Sequence, residues 1–151
     1  MNNALTPFQA TWTPRALGAL RIVAGYLFVA HGTTKLFQAP FIEMFANVPV
    51  LSLAGAAGII EVLTGTLLIL GLFTRPAAFL ASGTMAFAYF LAHASQGHAA
   101  LPILNGGELA VLYSFLFLAI AVAGGGAWSL DNLRHRNDDL GLIEVSVVSS
   151  R

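Results

Sequence analysis

No cysteine occurs anywhere in the chain. That removes disulfides, thiolate metal ligands and thiol nucleophiles together, so any redox role has to use a bound cofactor or a partner. Charge is almost as scarce. Asp, Glu, Lys and Arg make up 9% of the 151 residues and cancel to a net of zero. A soluble domain carries roughly 25% charged residues, so this chain has too few charges to coat a water-facing surface. The basic residues are scattered, which argues against a nucleic-acid surface. No basic stretch precedes the first apolar block and no convincing cleavage site follows it. The block therefore reads as a retained span and not as a signal peptide.

What the chain has instead is apolar length. Hydrophobic residues make up 57% of it, the mean hydropathy is +0.77, and the excess falls in long blocks. Crossing a bilayer takes roughly 17–25 mostly apolar residues. Four windows qualify, at 15–34, 50–73, 76–94 and 107–126. The spacing predicts an all-α integral membrane four-helix bundle over 15–131, after a short segment 1–14 and before a more polar tail 132–151. Pro14 and Pro76 sit where a first helical turn tolerates proline. The run Gly124-Gly125-Gly126 ends the last window, and Ser129 and Asp131 offer capping groups for a short turn after it.

Orientation follows from basic residues in the flanks. Arg15, Arg75, Arg134 and Arg136 fall on one side and Lys35 on the other, which predicts that both termini are cytoplasmic. The Thr74-Arg75 turn is tight, so the second and third spans are expected to be antiparallel neighbours. Small residues favour helix contacts in lipid. Ala54 and Gly58 on the second span, and Ala78, Ser82 and Ala86 on the third, are the expected contact stripes.

Ionisable groups inside spans are expensive and usually face a bundle interior. Glu61 falls near the middle of the second span, and Arg21 about 7 Å nearer the cytoplasm on the first, taking 1.5 Å per residue. A structural ion pair between Arg21 and Glu61 is expected, compatible with Glu61 also carrying protons or touching a substrate. A second group gathers at the outer end. His31, Lys35, His93, Asn105 and Glu108 reach a similar depth and could line one pocket with Glu61. Three readings stay open for it: a metal site, a quinone headgroup or small polar substrate held by hydrogen bonds, or an interfacial polar cap. Metal is disfavoured, because no local ligand spacing is present and Lys35 opposes a cation. A residue-type echo also exists, His31 then Glu61 and His93 then Glu108, as in a duplicated helical hairpin.

Several segments form a recognisable pattern. They are Leu20-Arg21-Ile22 with Gly25, His31-Gly32-Thr33-Thr34-Lys35-Leu36, Gly58-Ile59-Ile60-Glu61 with Gly65, and Leu70-Gly71-Leu72-Phe73-Thr74-Arg75. His93, Asn105-Gly106-Gly107-Glu108, Leu112-Tyr113 and Gly126-Ala127-Trp128-Ser129-Leu130-Asp131 complete it. In this order and spacing they resemble the DoxX family of small bacterial membrane proteins, and the resemblance covers roughly 15–131. It implies a multi-pass protein of the bacterial cytoplasmic membrane. Relatives include a small membrane subunit of a thiosulfate:quinone oxidoreductase and proteins tied to sulfur handling and oxidative stress. By resemblance, Arg21, Lys35, Glu61, His93, Asn105 and Glu108 fall on recurring polar positions. The expected function is quinone handling, or service as the membrane subunit of an oxidoreductase, with quinone as the cofactor and no covalent one. The expected partners are lipid and an oxidoreductase subunit or a second copy. A non-catalytic assembly or anchoring subunit and a small transporter or channel are the alternatives.

Overall fold

The computed structural model describes residues 5–134, and every regular element among them is helical. Helix α1 spans Pro7–Phe37, α2 Leu53–Leu70, α3 Thr74–Ala88, the single turn α4 Pro102–Asn105, and α5 Glu108–Ala123. Helix α3 continues through a π turn at Tyr89–His93 and a 3-10 turn at Ala94–Gln96. Three of these helices are long and apolar enough to cross a membrane: α1, α2, and α3 with its continuation through Gln96. Helix α5 is equally apolar but has 16 residues.

The helix boundaries follow from local chemistry, and one differs from the sequence expectation. Helix α1 begins at Pro7, well before Pro14. Thr6 and Gln9 form a reciprocal capping box there, and Pro7 occupies the first turn, so Pro14 is carried inside the helix. Ser52 caps α2 by accepting from the Gly55 amide at 3.1 Å. Gly71 ends α2 in the left-handed region, with φ +66. That position is closed to a side chain twice over, since a Cβ would also lie 2.9 Å from the Arg21 guanidinium carbon.

Helix α1 packs on α2, α3 packs on α5, and α2 also meets α3. The first pair approaches almost backbone to backbone. A Cβ on Gly65 would sit 2.8 Å from the Gly25 carbonyl oxygen, and one on Gly32 2.7 Å from that of Gly58. Without side chains between them the helices meet through close van der Waals contact. The α2 stripe is thus Gly58 and Gly65. Ala54 faces outward, whereas Ala78 and Ser82 are buried on α3 as expected, with Ser82 Oγ donating to the Ser114 carbonyl at 2.8 Å. Phe28, Tyr113 and Phe117 stack at the centre beside Leu68, Ile120 and Met85. Val23, Leu63, Phe79, Phe115 and Val122 point outward, an inverted pattern for water and an ordinary one for helices facing lipid.

The bundle has two unlike ends. The turn end holds the α2–α3 turn and the segment leaving α5. The loop end holds the α1–α2 connection and the stretch between α3 and α5. The tail beyond residue 134 lies outside the described residues.

Candidate functional site

Arg21 and Glu61 do not meet. Arg21 is fully buried and all its donors serve carbonyls at the turn end. Its Nε donates to Gly125 O at 2.8 Å, and its Nη1 to Leu68 O and to Ile69 O at 2.9 Å. Its Nη2 donates to Trp128 O at 2.9 Å and Ala127 O at 3.3 Å. A guanidinium has five N–H groups, and here there are five acceptors. Two of those belong to the last turn of α2, where the helix dipole also favours a cation. The other three belong to the segment that follows α5. The expected Arg21–Glu61 pair is thereby corrected: Arg21 is a structural rivet between α1, the end of α2 and the returning chain.

The same segment caps a neighbour. Both carboxylate oxygens of Asp131 accept backbone amides, from Phe73 and Thr74, each at 2.8 Å. Asp131 was expected to cap its own turn, and it instead caps α3 from across the fold. Burial pushes its carboxyl up, but the Thr74 and Phe73 amides and the charge of Arg134 outweigh that and hold it below the usual aspartate value. Ser129 Oγ donates to the Gly71 carbonyl at 2.8 Å. Arg75 Nη1 reaches the end of α5, donating to Val122 O at 2.8 Å. A cleft of about 650 Å³ opens here, lined among others by Arg75, Asp131 and Gly124. Asp131 spends both its oxygens on the α3 cap and Arg75 is tied to α5, so this cleft lies between structural contacts.

Glu61 finds its partner at the other end. Lys35 Nζ lies 2.5 Å from Glu61 Oε1. The Glu61 side chain is 1% exposed and that of Lys35 is 12% exposed. The ring of Phe45, in the 3-10 turn Glu43–Phe45 of the α1–α2 connection, lies 5.5 Å from the ammonium. Glu61 Oε2 accepts no hydrogen bond from any described residue. A buried carboxylate with one oxygen paired and the other open is a costly polar arrangement. Thr74 Oγ1 is also buried and open, but it is a neutral hydroxyl with a smaller penalty.

The remaining expected residues divide. His31 is half-buried on α1, one turn before Lys35, with its ring 6.2 Å from Tyr113 of α5 in an edge-on contact. It belongs beside the Lys35–Glu61 pair. His93 Nδ1 instead lies 3.1 Å from the Asn105 carbonyl oxygen. The Asn105 side chain organises the loop before α5, accepting from the Gly107 amide at 2.9 Å. Glu108 is exposed in the first turn of α5, a favourable place for an acid against the helix dipole. Among the described residues no hydrogen bond or ion pair joins His93, Asn105 or Glu108 to the Lys35–Glu61 pair. No set of three metal-ligating side chains gathers among them either. Phe45 and Tyr113 were not among the expected site residues. Aromatics near span ends read as interfacial anchors, and only the folded chain brings Phe45 over Lys35.

Comparison with known proteins bears out the family resemblance over the first three helices. The DoxX family model matches residues 16–94, which hold Arg21, Lys35, Glu61 and His93. An uncharacterized protein of Haemophilus influenzae is 49% identical over 123 residues, covering 80% of this chain and 92% of that protein. No solved structure matches. A family match over half of the chain and a relative this similar across most of its length leave one conclusion: the chain belongs to the DoxX family of membrane proteins.

Proposed function

We propose that the protein handles a quinone or an equivalent lipid-soluble redox carrier at the Lys35–Glu61 pair, as the membrane subunit of an oxidoreductase system. The observation that carries this reading is the contrast between the two buried charges. Arg21 is structural, and its five donors are all satisfied. Glu61 is held by one lysine and keeps an open acceptor in an apolar setting. A pair that served only to tie α1 to α2 would gain from closing that oxygen. A pair that meets a headgroup or a proton has a reason to leave it open. With no thiol in the chain, the electrons themselves belong to the carrier and to a partner subunit.

The membrane arrangement in this proposal has four spans, with the turn end and both termini cytoplasmic. Arg15, Arg75 and Arg134 lie toward the turn end, while Lys35, toward the loop end, is sealed in its ion pair. Helix α5 is about 24 Å long at 1.5 Å per residue, enough with slight bilayer thinning. The bacterial cytoplasmic membrane is the setting that the family resemblance supports.

Native mass spectrometry of the protein extracted gently from its own membrane, with quinone analysis of the extract, tests the reading. A stoichiometric quinone or quinol retained by the wild type and lost in the Lys35→Met/Glu61→Leu double variant is the expected result. A quinone-free protein bound to a larger enzyme would instead favour an assembly or anchoring subunit.

A further inference from the structure

The hydrogen-bonding inventory of the Lys35–Glu61 pair restricts what can complete it. An ionised carboxylate only accepts hydrogen bonds, whereas an ammonium only donates and has three N–H groups. One ammonium donor is committed to Glu61 Oε1. Glu61 Oε2 accepts none from the described residues although the side chain is almost wholly buried. The group that completes Oε2 must therefore be a donor, and Lys35 still has donors for an acceptor beside it. A ring hydroxyl meets both demands at one atom, since its O–H donates and its lone pairs accept. The carbonyl oxygens of an oxidised quinone meet only the second.

The cover of the pair indicates the side from which such a head arrives. Phe45 lies over Lys35, on a connection whose outward residues Phe41, Ile42, Met44, Val50 and Leu51 are exposed and apolar. Within this strap the backbone hydrogen bonds are local. Phe45 N donates to Ile42 O, Ala46 N to Glu43 O, and Ser52 N to Pro49 O. An apolar strap held mainly by its own turns suits the acyl boundary of a bilayer and can move without unmaking the helix pair.

We propose that the pair binds the reduced, hydroxyl-bearing form of a lipid-soluble ring carrier in preference to the oxidised form, admitted from the lipid beneath the Phe45 strap. A ring hydroxyl donates to Glu61 Oε2 while Lys35 Nζ donates to the oxygen of that hydroxyl. This inference rests on the quinone-handling reading of the same site and adds the redox state that the site selects.

The test compares decylubiquinone with its two-electron-reduced quinol, bound anaerobically to the whole wild-type protein in lipid nanodiscs and read by native mass spectrometry. One charge-assisted hydrogen bond present in one ligand and absent in the other corresponds to about tenfold or more in affinity. The quinol is expected to bind tighter by at least that factor. In Glu61→Gln, whose carboxamide also offers donors, the preference should shrink to about threefold or less. Phe45→Ala should speed association of both forms without changing their ratio. Equal binding of the two forms by the wild type, or tighter binding of the quinone, overturns the inference and leaves quinone handling standing. Failure of both forms to bind overturns the inference and the reading beneath it together.

Discussion

The Lys35–Glu61 pair makes an asymmetric prediction about stability. Lys35→Met strands a carboxylate that is 1% exposed. Removing one partner of a buried pair costs about 3–5 kcal/mol, because the other charge is left uncompensated. Glu61→Leu strands an ammonium on a flexible stem in a side chain that is 12% exposed. That stem can swing its head toward the nearby rim of the bundle, so about 1–2 kcal/mol is expected. The double variant places two apolar side chains in an apolar setting and should fall within about 1 kcal/mol of the wild type. The coupling energy is then about 3–8 kcal/mol, the two single costs together less that of the double. Reversible unfolding in mixed micelles of mild and denaturing detergent, followed by circular dichroism, measures all four corners of the cycle. Arg21→Met paired with Glu61→Leu is the control. The Arg21 contacts on α2 begin at Leu68, seven residues and about 10 Å along the helix from Glu61. Those two changes should add within about 0.5 kcal/mol. A coupling below that value for Lys35 and Glu61, or a large one between Arg21 and Glu61, would refute the assignment of partners.

Two further predictions concern the turn end. Arg21→Lys keeps the charge but has three donors for five carbonyls, so the same titration should show a loss of about 2 kcal/mol or more; wild-type stability would contradict the rivet. Asp131→Ala removes both amide contacts of the α3 cap, with an expected cost of about 0.5–2 kcal/mol at neutral pH. The folded-state carboxyl lies below its ordinary value, so the advantage of the wild type is complete above roughly pH 4 and falls away as pH drops through the folded value. A gap between wild type and variant that widened toward acid would contradict this sign.

Much of the architecture was legible because the bilayer leaves few options. Three apolar helices of spanning length, a shorter fourth, antiparallel second and third helices and the buried small residues Ala78 and Ser82 required only length and residue size. The turn itself, however, falls at 71–73, and the expected turn residues Thr74 and Arg75 open α3. The polar partners depended on direction, which span-depth arithmetic leaves out. In a helix each Cα–Cβ bond tilts toward the N-terminus. Lys35 on α1 therefore leans inward from the loop end, and Glu61 on the antiparallel α2 leans outward toward it. Arg21 leans the other way, toward the turn end, and away from Glu61. Applied to the sequence, that rule favours Lys35 as the partner. The carbonyl nest around Arg21 had no comparable signal. Gly125, Ala127 and Trp128 lie more than 100 residues away along the chain, and any residue type supplies a carbonyl. Asp131 misled for a similar reason: a cap is written in the sequence as a residue type, and the helix it serves is settled only by packing.

The two helix pairs share one device at the turn end and part company at the loop end. Arg21 on α1 caps the last turn of α2, and Arg75 at the start of α3 caps the last turn of α5. Each arginine sits on the first helix of its pair and serves the end of the second, so the echo noted between histidines and glutamates is carried more firmly by these arginines. Fourteen residues after Arg21 stands Lys35, and fourteen after Arg75 stands Tyr89. Lys35 enters a buried ion pair with an open acceptor. Tyr89 donates its hydroxyl to the Ala99 carbonyl at 2.6 Å and holds a loop in place. The capping arginine is retained in both pairs because each helix end needs its carbonyls satisfied. The charged pair occurs in one alone, which is unexpected if its purpose were to tie two helices together, since α3 and α5 pack without it. What distinguishes the first pair is therefore its chemistry, and the search for activity belongs at the loop end of α1 and α2.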